Sequence, residues 1–267
     1  KNNYSIALSL SDKIDTLVGF FGLNVFPTSS KDPYGLRRLV IGLIKIIIDN
    51  KKKVKIKDLI NSSCQVYNSQ SIKFDNIIIL EKLTAFILER LKYFMREKGI
   101  RQDIIETSLT NFNLDNLLII FMKAKKLNKI INNEIGLNLI QNYKRSYNIL
   151  NSEKNVISNE NLSAVDPTLF NNDYEKDLYK KLQHIKKNLT NIRIETDYDA
   201  QLILLSSVKQ EITNFFENVT VNDNDENLKK NRLLLLKLVC KTFDKYFSFA
   251  KIEIIKWKDL YLISNQI

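Results

Sequence analysis

Helical periodicity with almost no breakers is what most restricts this chain. Apolar residues return every three or four positions along most of its length, and only 6 glycines and 3 prolines occur in 267 residues. Strand hairpins, barrels and phosphate-binding loops need more turn residues than that. The pattern therefore predicts an all-α chain folded into helical bundle domains.

Ile6, Leu10, Ile14, Leu17 and Phe21 mark the first helix, and Gly22 is expected to close it in a left-handed conformation. Asp32 and Pro33 are expected as N-cap and first residue of the next helix, which carries Leu36, Leu39, Val40, Leu43 and Ile47 and ends near Asn50. The lysines at 51, 52, 53, 55 and 57 read as a solvated turn. A helix over 78–97 places Leu80, Leu83, Ile87 and Leu91 on one face, with Gly99 as its stop. Shorter helices are expected over 101–109, 114–126 and 137–150, and the polar stretch 151–163 reads as a loop. After a second Asp-Pro signal at Asp166 and Pro167, three helices follow at 174–191, 198–219 and 227–251. The last of them should bury Leu233, Leu236, Cys240, Phe243 and Phe247.

Charge narrows the partner. The chain carries 41 Lys and Arg against 30 Asp and Glu, a net +11. The excess is uneven: residues 1–132 hold 22 basic and 12 acidic side chains, whereas residues 133–267 hold 19 and 18. A basic surface attracts nucleic acid or another anionic surface, although an AT-rich genome also enriches Lys without functional cause. Charged residues interrupt every apolar run before bilayer length, and no signal peptide is visible, so a cytoplasmic protein is expected. The first residue is Lys1 rather than Met, as expected of a fragment.

The chemistry sought in the sequence is mostly missing. Cys64 and Cys240 are far apart, and His184 is the lone histidine, so a zinc site lacks ligands and buried free thiols are expected. No Gly-rich phosphate loop occurs, and nothing marks a nucleophile beside His184, which reads as a surface residue. Tyr143 and Tyr147 lie on an apolar face, where core packing is expected in preference to base stacking. Lys144, Arg145 and Asn148 share a helical face. Lys229, Lys230 and Arg232 begin the final helix, with Lys237 and Lys241 further along. Such side chains grip phosphates and read base edges, but by charge alone they are solvated faces.

Seven segments, taken in order, change that balance. Residues 9–22 read SLSDKIDTLVGFFG, 27–38 PTSSKDPYGLRR and 97–105 EKGIRQDII. Residues 143–150 read YKRSYNIL, 165–170 VDPTLF, 215–221 FFENVTV and 231–236 NRLLLL. Together they resemble the beta subunit of bacterial two-subunit glycyl-tRNA synthetases, with mild departures at Gly35 and in the polar turn 222–227. The resemblance implies two parts: the later portion of an HD-like helical domain with its following helices over 1–132, and a DALR-type anticodon-binding bundle over 133–267. It also implies two partners, tRNA(Gly) and a separate alpha subunit that uses ATP and Mg. On this reading the chain has no catalytic residue, metal or cofactor of its own. Asp12 sits where an HD domain has its last metal ligand, but the upstream His and His-Asp ligands are missing, so a capping role or a pairing with Lys13 is expected. The resemblance turns Lys144, Arg145, Asn148, Lys229, Lys230, Arg232, Lys237 and Lys241 into expected tRNA contacts. The competing readings are a helical protein-interaction scaffold and a complete HD-type hydrolase.

Overall fold

The computed structural model describes residues 2–28, 30–109, 116–131, 133–153, 164–192, 197–245, 247 and 249–253. Within them every regular element is helical, and the chain divides into two compact units, Lys1–Lys125 and Lys126–Ile267. No helix among the described residues is long and apolar enough to cross a membrane. Of the expected polar loop, residues 154–163 lie outside the described residues.

In the first unit α1 (Asn3–Gly22) packs on α2 (Leu36–Asp49), α3 (Ile56–Ser69) and α4 (Asn76–Glu97), and α5 (Gln102–Ser108) rests on α4. The stripe of α1 is the expected one: Ile6, Leu10, Ile14, Leu17 and Phe21 are all buried. Its ending differs. Asn24, at φ 55°, takes the left-handed conformation, which Asn tolerates best after Gly. Gly22 stays helical, and its missing Cβ makes room for the Phe74 ring, which would stand 2.6 Å from a Cβ there. Asp32 does cap α2, accepting from the amides of Leu36 at 2.8 Å and Arg37 at 3.0 Å. Pro33, however, lies in a turn before the helix, and Gly35 at φ 66° separates the two.

The lysine-rich stretch makes a turn at Lys51 and then becomes α3, which the charge pattern hides. That helix buries only Ile56, Ile60, Ser63 and Cys64, a stripe too narrow to stand out among lysines. In α4 the inward residue near the start is Ile79 rather than Leu80, followed by Leu83, Ile87 and Leu91 as expected. Gly99 closes the helix at φ 72°. The helix α6 (Leu117–Ile131) crosses the division between the units.

The second unit is built on a ring of four helices. α7 (Glu134–Ser152) touches α11 (Glu226–Asp244), which touches α8 (Asp173–Asn191), which touches α10 (Lys209–Asn218), which returns to α7. α9 (Tyr198–Ser206) packs on α8 and α7. The single helix expected over 198–219 is broken after Ser206. The hydroxyls of Ser206 and Ser207 each donate at 2.7 Å to a carbonyl three residues back, competing with helix continuation. The final helix stops at Asp244 and not at 251. The chain then turns so that Phe249 meets the rings of Tyr143 and Phe243, both at 5.6 Å. Asp166 caps only a single 3-10 turn (Pro167–Leu169), and Asn172 caps α8.

One buried charge stands out. Lys123 is 1% exposed, and burial pulls its amine down to about 7. An unfolded lysine titrates near 10.4, so the unfolded chain binds the extra proton between those values. Stability should therefore rise as pH climbs from about 7 toward 10. Lys123→Met removes this titration, so the difference in melting temperature between the two proteins should shift in favour of the parent as pH climbs from about 7 toward 10. Parallel melting curves of the two proteins across that range would contradict this account.

Candidate nucleic-acid interface

The basic side chains of the second unit are set by how α7 and α11 are held. Tyr143, fully buried, donates its hydroxyl to Asp244 at 2.7 Å, and its ring lies 6.0 Å from Tyr147 at an interplanar angle of 14°. Burial raises the Asp244 carboxyl above its ordinary range, although the Tyr143 bond works in the other direction. Tyr143 is thus a core residue, as its apolar face suggests. Fixing it turns the next residues outward: Lys144 is half-buried, and Arg145 and Asn148 are exposed. Arg145 leans toward α10, its guanidinium 4.2 Å above the Phe216 ring.

At the start of α11 the residues part company. Lys229 pairs with Glu153 at the end of α7 at 3.1 Å, and Lys230 is half-buried. Arg232 is 4% exposed, which corrects its reading as a solvent-facing contact. Its Nε donates to Glu175 at 2.6 Å. One terminal nitrogen donates to Asp223 at 2.6 Å and to the Thr220 carbonyl at 2.8 Å, and the other reaches Asn171 at 3.0 Å. Burial disfavours the charge on Arg232, but the bonds to Glu175 and Asp223 outweigh it and raise its pKa. Asp223 is held below the usual carboxylate range by the Asp225 amide and by Arg232. Next to it, Asn231 exchanges two 2.9 Å hydrogen bonds with the backbone of Asp166. The period of α11 puts Arg232 four residues before Leu236, at the edge of the apolar stripe, but does not reveal the carboxylate that meets it, which lies 57 residues earlier.

Further along α11, Lys237 and Lys241 line a cleft of about 230 Å³ against α8. Lys186 faces them from α8, and Leu234, Leu238 and Val165 supply apolar lining. Tyr179 and Gln183 belong to the same cleft. These α8 residues escaped notice in the sequence, although Tyr179, Gln183 and Lys186 repeat at steps of four and three and so share a face. The expected contacts therefore do not gather in one patch. Arg145 lies at the α7/α10 seam, Lys237 and Lys241 at the α8/α11 seam across the ring, and Arg232 is inside.

Other candidates offer less. His184 sits in a polar groove between α8 and α10, within 2.7 Å of the Asn188 amide, where Lys181 is paired with Glu211 at 3.5 Å. Asp12 is exposed, 3.8 Å from Lys13. Among the described residues no three metal-binding side chains converge. Cys64 and Cys240 are both buried, and burial pushes the Cys240 thiol up to about 12, which leaves it inert at neutral pH.

The ring of helices belongs to a known class: residues 139–256 match the DALR anticodon binding domain. Residues 1–110 match the model described as glycyl-tRNA synthetase beta subunit. The chain is 38% identical over 246 residues to the glycine–tRNA ligase beta subunit of Rickettsia bellii, covering 92% of this chain and 34% of that protein. The corresponding protein of Rickettsia canadensis is 36% identical over 255 residues, or 94% and 36% of the two chains. That of Rickettsia peacockii is 36% identical over 92% of this chain and 34% of its own length. In both of its parts the chain matches the glycyl-tRNA synthetase beta subunits, and it spans about a third of the length of the curated relatives it matches.

Removing one partner of a buried, hydrogen-bonded ion pair strands the other charge. Arg232→Ala should therefore cost about 3–5 kcal/mol of stability in urea unfolding. Replacing both partners, as Arg232→Met with Glu175→Leu, should recover a large part of that loss. A single variant as stable as the parent would show that the network holds nothing in place.

Proposed function

We propose that this chain binds tRNA, its C-terminal bundle over 133–267 holding the anticodon arm. In that role it positions tRNA(Gly) for aminoacylation by a separate catalytic alpha subunit. The match of residues 139–256 to an anticodon binding domain carries this reading. The charge distribution supports it: the surplus of basic residues over 1–132 supplies nonspecific attraction to the phosphate backbone, and the nearly neutral bundle supplies orientation and base contact. Lys144, Arg145 and Asn148 on α7, with Lys237 and Lys241 on α11, are the side chains assigned to contact. Arg232 is assigned a positioning role. Lys229 and Lys230 stand beside it at the start of α11, where they face phosphate only as far as the Glu153 pairing of Lys229 allows.

The mechanism is one of placement. Fixing the tRNA relative to a separate active site removes translational and rotational freedom that the reaction would otherwise have to lose. ATP and Mg belong to the alpha subunit, and the complex works in the cytoplasm. The purified chain given ATP, glycine and tRNA should form no aminoacyl-tRNA. It should nevertheless bind labelled tRNA, with affinity falling steeply between two salt concentrations. Turnover by the chain alone, or the salt-insensitive binding expected of a scaffold, would refute the proposal. Arg145→Ala should lose roughly 1–3 kcal/mol selectively among tRNAs that differ only in the anticodon. Unchanged anticodon preference in a folded Arg145→Ala protein would remove that residue from the interface.

A further inference from the structure

Three clefts among the described residues differ in charge. The groove of the first unit sets Lys82 and Lys92 beside Glu89, and Lys92 is paired with Glu106 at 3.2 Å. The α8/α10 groove sets Lys180 and Lys181 beside Asp177 and Glu211. The α8/α11 cleft has three ammonium groups, Lys186, Lys237 and Lys241, and no carboxylate among its described lining residues. This local excess lies in a half of the chain that is otherwise nearly neutral, 19 basic against 18 acidic residues over 133–267. Lys237 and Lys241 stand one helical turn apart, where like charges repel, and Lys186 adds a third from the facing helix. An anion seated between them relieves that repulsion.

The remainder of the cleft is not that of a simple anion site. Leu234, Leu238 and Val165 present apolar surface, Tyr179 adds a half-buried ring, and Gln183 adds an amide that both donates and accepts. The Tyr179 ring is braced by Phe170, at 5.5 Å and an interplanar angle of 57°. A volume of about 230 Å³ falls below the roughly 300–1,000 Å³ of pockets for drug-sized ligands, and suits one flat heterocycle. Apolar floor, aromatic edge, amide and surrounding cations are what recognition of an unstacked base in single-stranded RNA requires.

We propose that the α8/α11 cleft holds one unstacked nucleotide of a single-stranded RNA loop. Its base lies on Leu234 and Leu238 beside Tyr179, Gln183 bonds the base edge, and Lys186, Lys237 and Lys241 hold the flanking phosphates. This rests on the reading of the chain as a tRNA binder. It adds α8 to the interface and leaves Arg145, at the opposite seam, outside the cleft.

The test uses the 267-residue chain, a tRNA(Gly) transcript, its anticodon hairpin, and hairpins with single loop substitutions. Lys186→Ala combined with Lys237→Ala and Lys241→Ala should weaken hairpin binding at least tenfold and reduce the slope of log affinity against log salt by about 2. Gln183→Leu should keep the slope but abolish the preference between hairpins differing at one loop position. All four side chains are exposed or half-buried, and thermal melts matching the parent verify folding. If the parent binds the hairpin and the triple variant binds with the same affinity and slope, the cleft assignment is wrong while the tRNA reading stands. If the parent binds neither transcript nor hairpin, the tRNA reading itself fails and takes the cleft with it. Loss of a poly-glutamate peptide from the triple variant with unchanged hairpin binding would make the cleft an acidic-peptide site and overturn the proposal.

Discussion

A guanidinium without solvent organises the second unit. Arg232 sits where the start of α11, the turn before it and the first turn of α8 converge, and its three nitrogens satisfy two carboxylates, a carbonyl and an amide oxygen. A lysine has the charge but lacks the planar fork that makes these bonds in different directions at once. Burying such a charge is unfavourable unless it is fully partnered, so the four acceptors must hold their places for the arginine to be tolerated. The network thereby specifies how α8 and α11 meet, and with it the shape of the cleft further along the same two helices.

The other side of the ring is fixed by different means. Tyr143 fills the core and bonds Asp244, and the aromatic cluster with Phe243 and Phe249 ties α7 to the end of α11. Asn142 reaches Thr213 on α10, and Arg145 covers Phe216 one turn on. Polar anchoring at one seam and aromatic packing at the other leave two separate basic surfaces in place of one. An RNA arm that uses both must follow the bundle around, whereas one that uses the α8/α11 cleft alone needs only a short unpaired stretch.

Much of this is legible in the sequence. The stripe of α1, the core of α11, the stop at Gly99 and the buried Tyr143 all follow from the helical period, which is local and repeats in the sequence. The errors fall where a local signal competes with something distant. Gly22 looks like a helix terminator, but the Phe74 ring is what requires a missing Cβ there. The serines at 206 and 207 break a helix that periodicity joins, and the lysines before α3 conceal its narrow stripe.

Arg145 and Arg232 make the division plain. Each is an arginine on a helix, within a segment that resembles the family. The sequence alone determined that the chain is helical, which faces are apolar, and which family it resembles, because these depend on residue spacing and on order along the chain. Only the tertiary structure decided that Arg145 stays at the surface over Phe216 while Arg232 is enclosed by Glu175 and Asp223. The period of a helix states which way a side chain points, but not what waits there. For Arg232 that was a carboxylate from a helix 57 residues away, brought alongside only when the ring of helices closes.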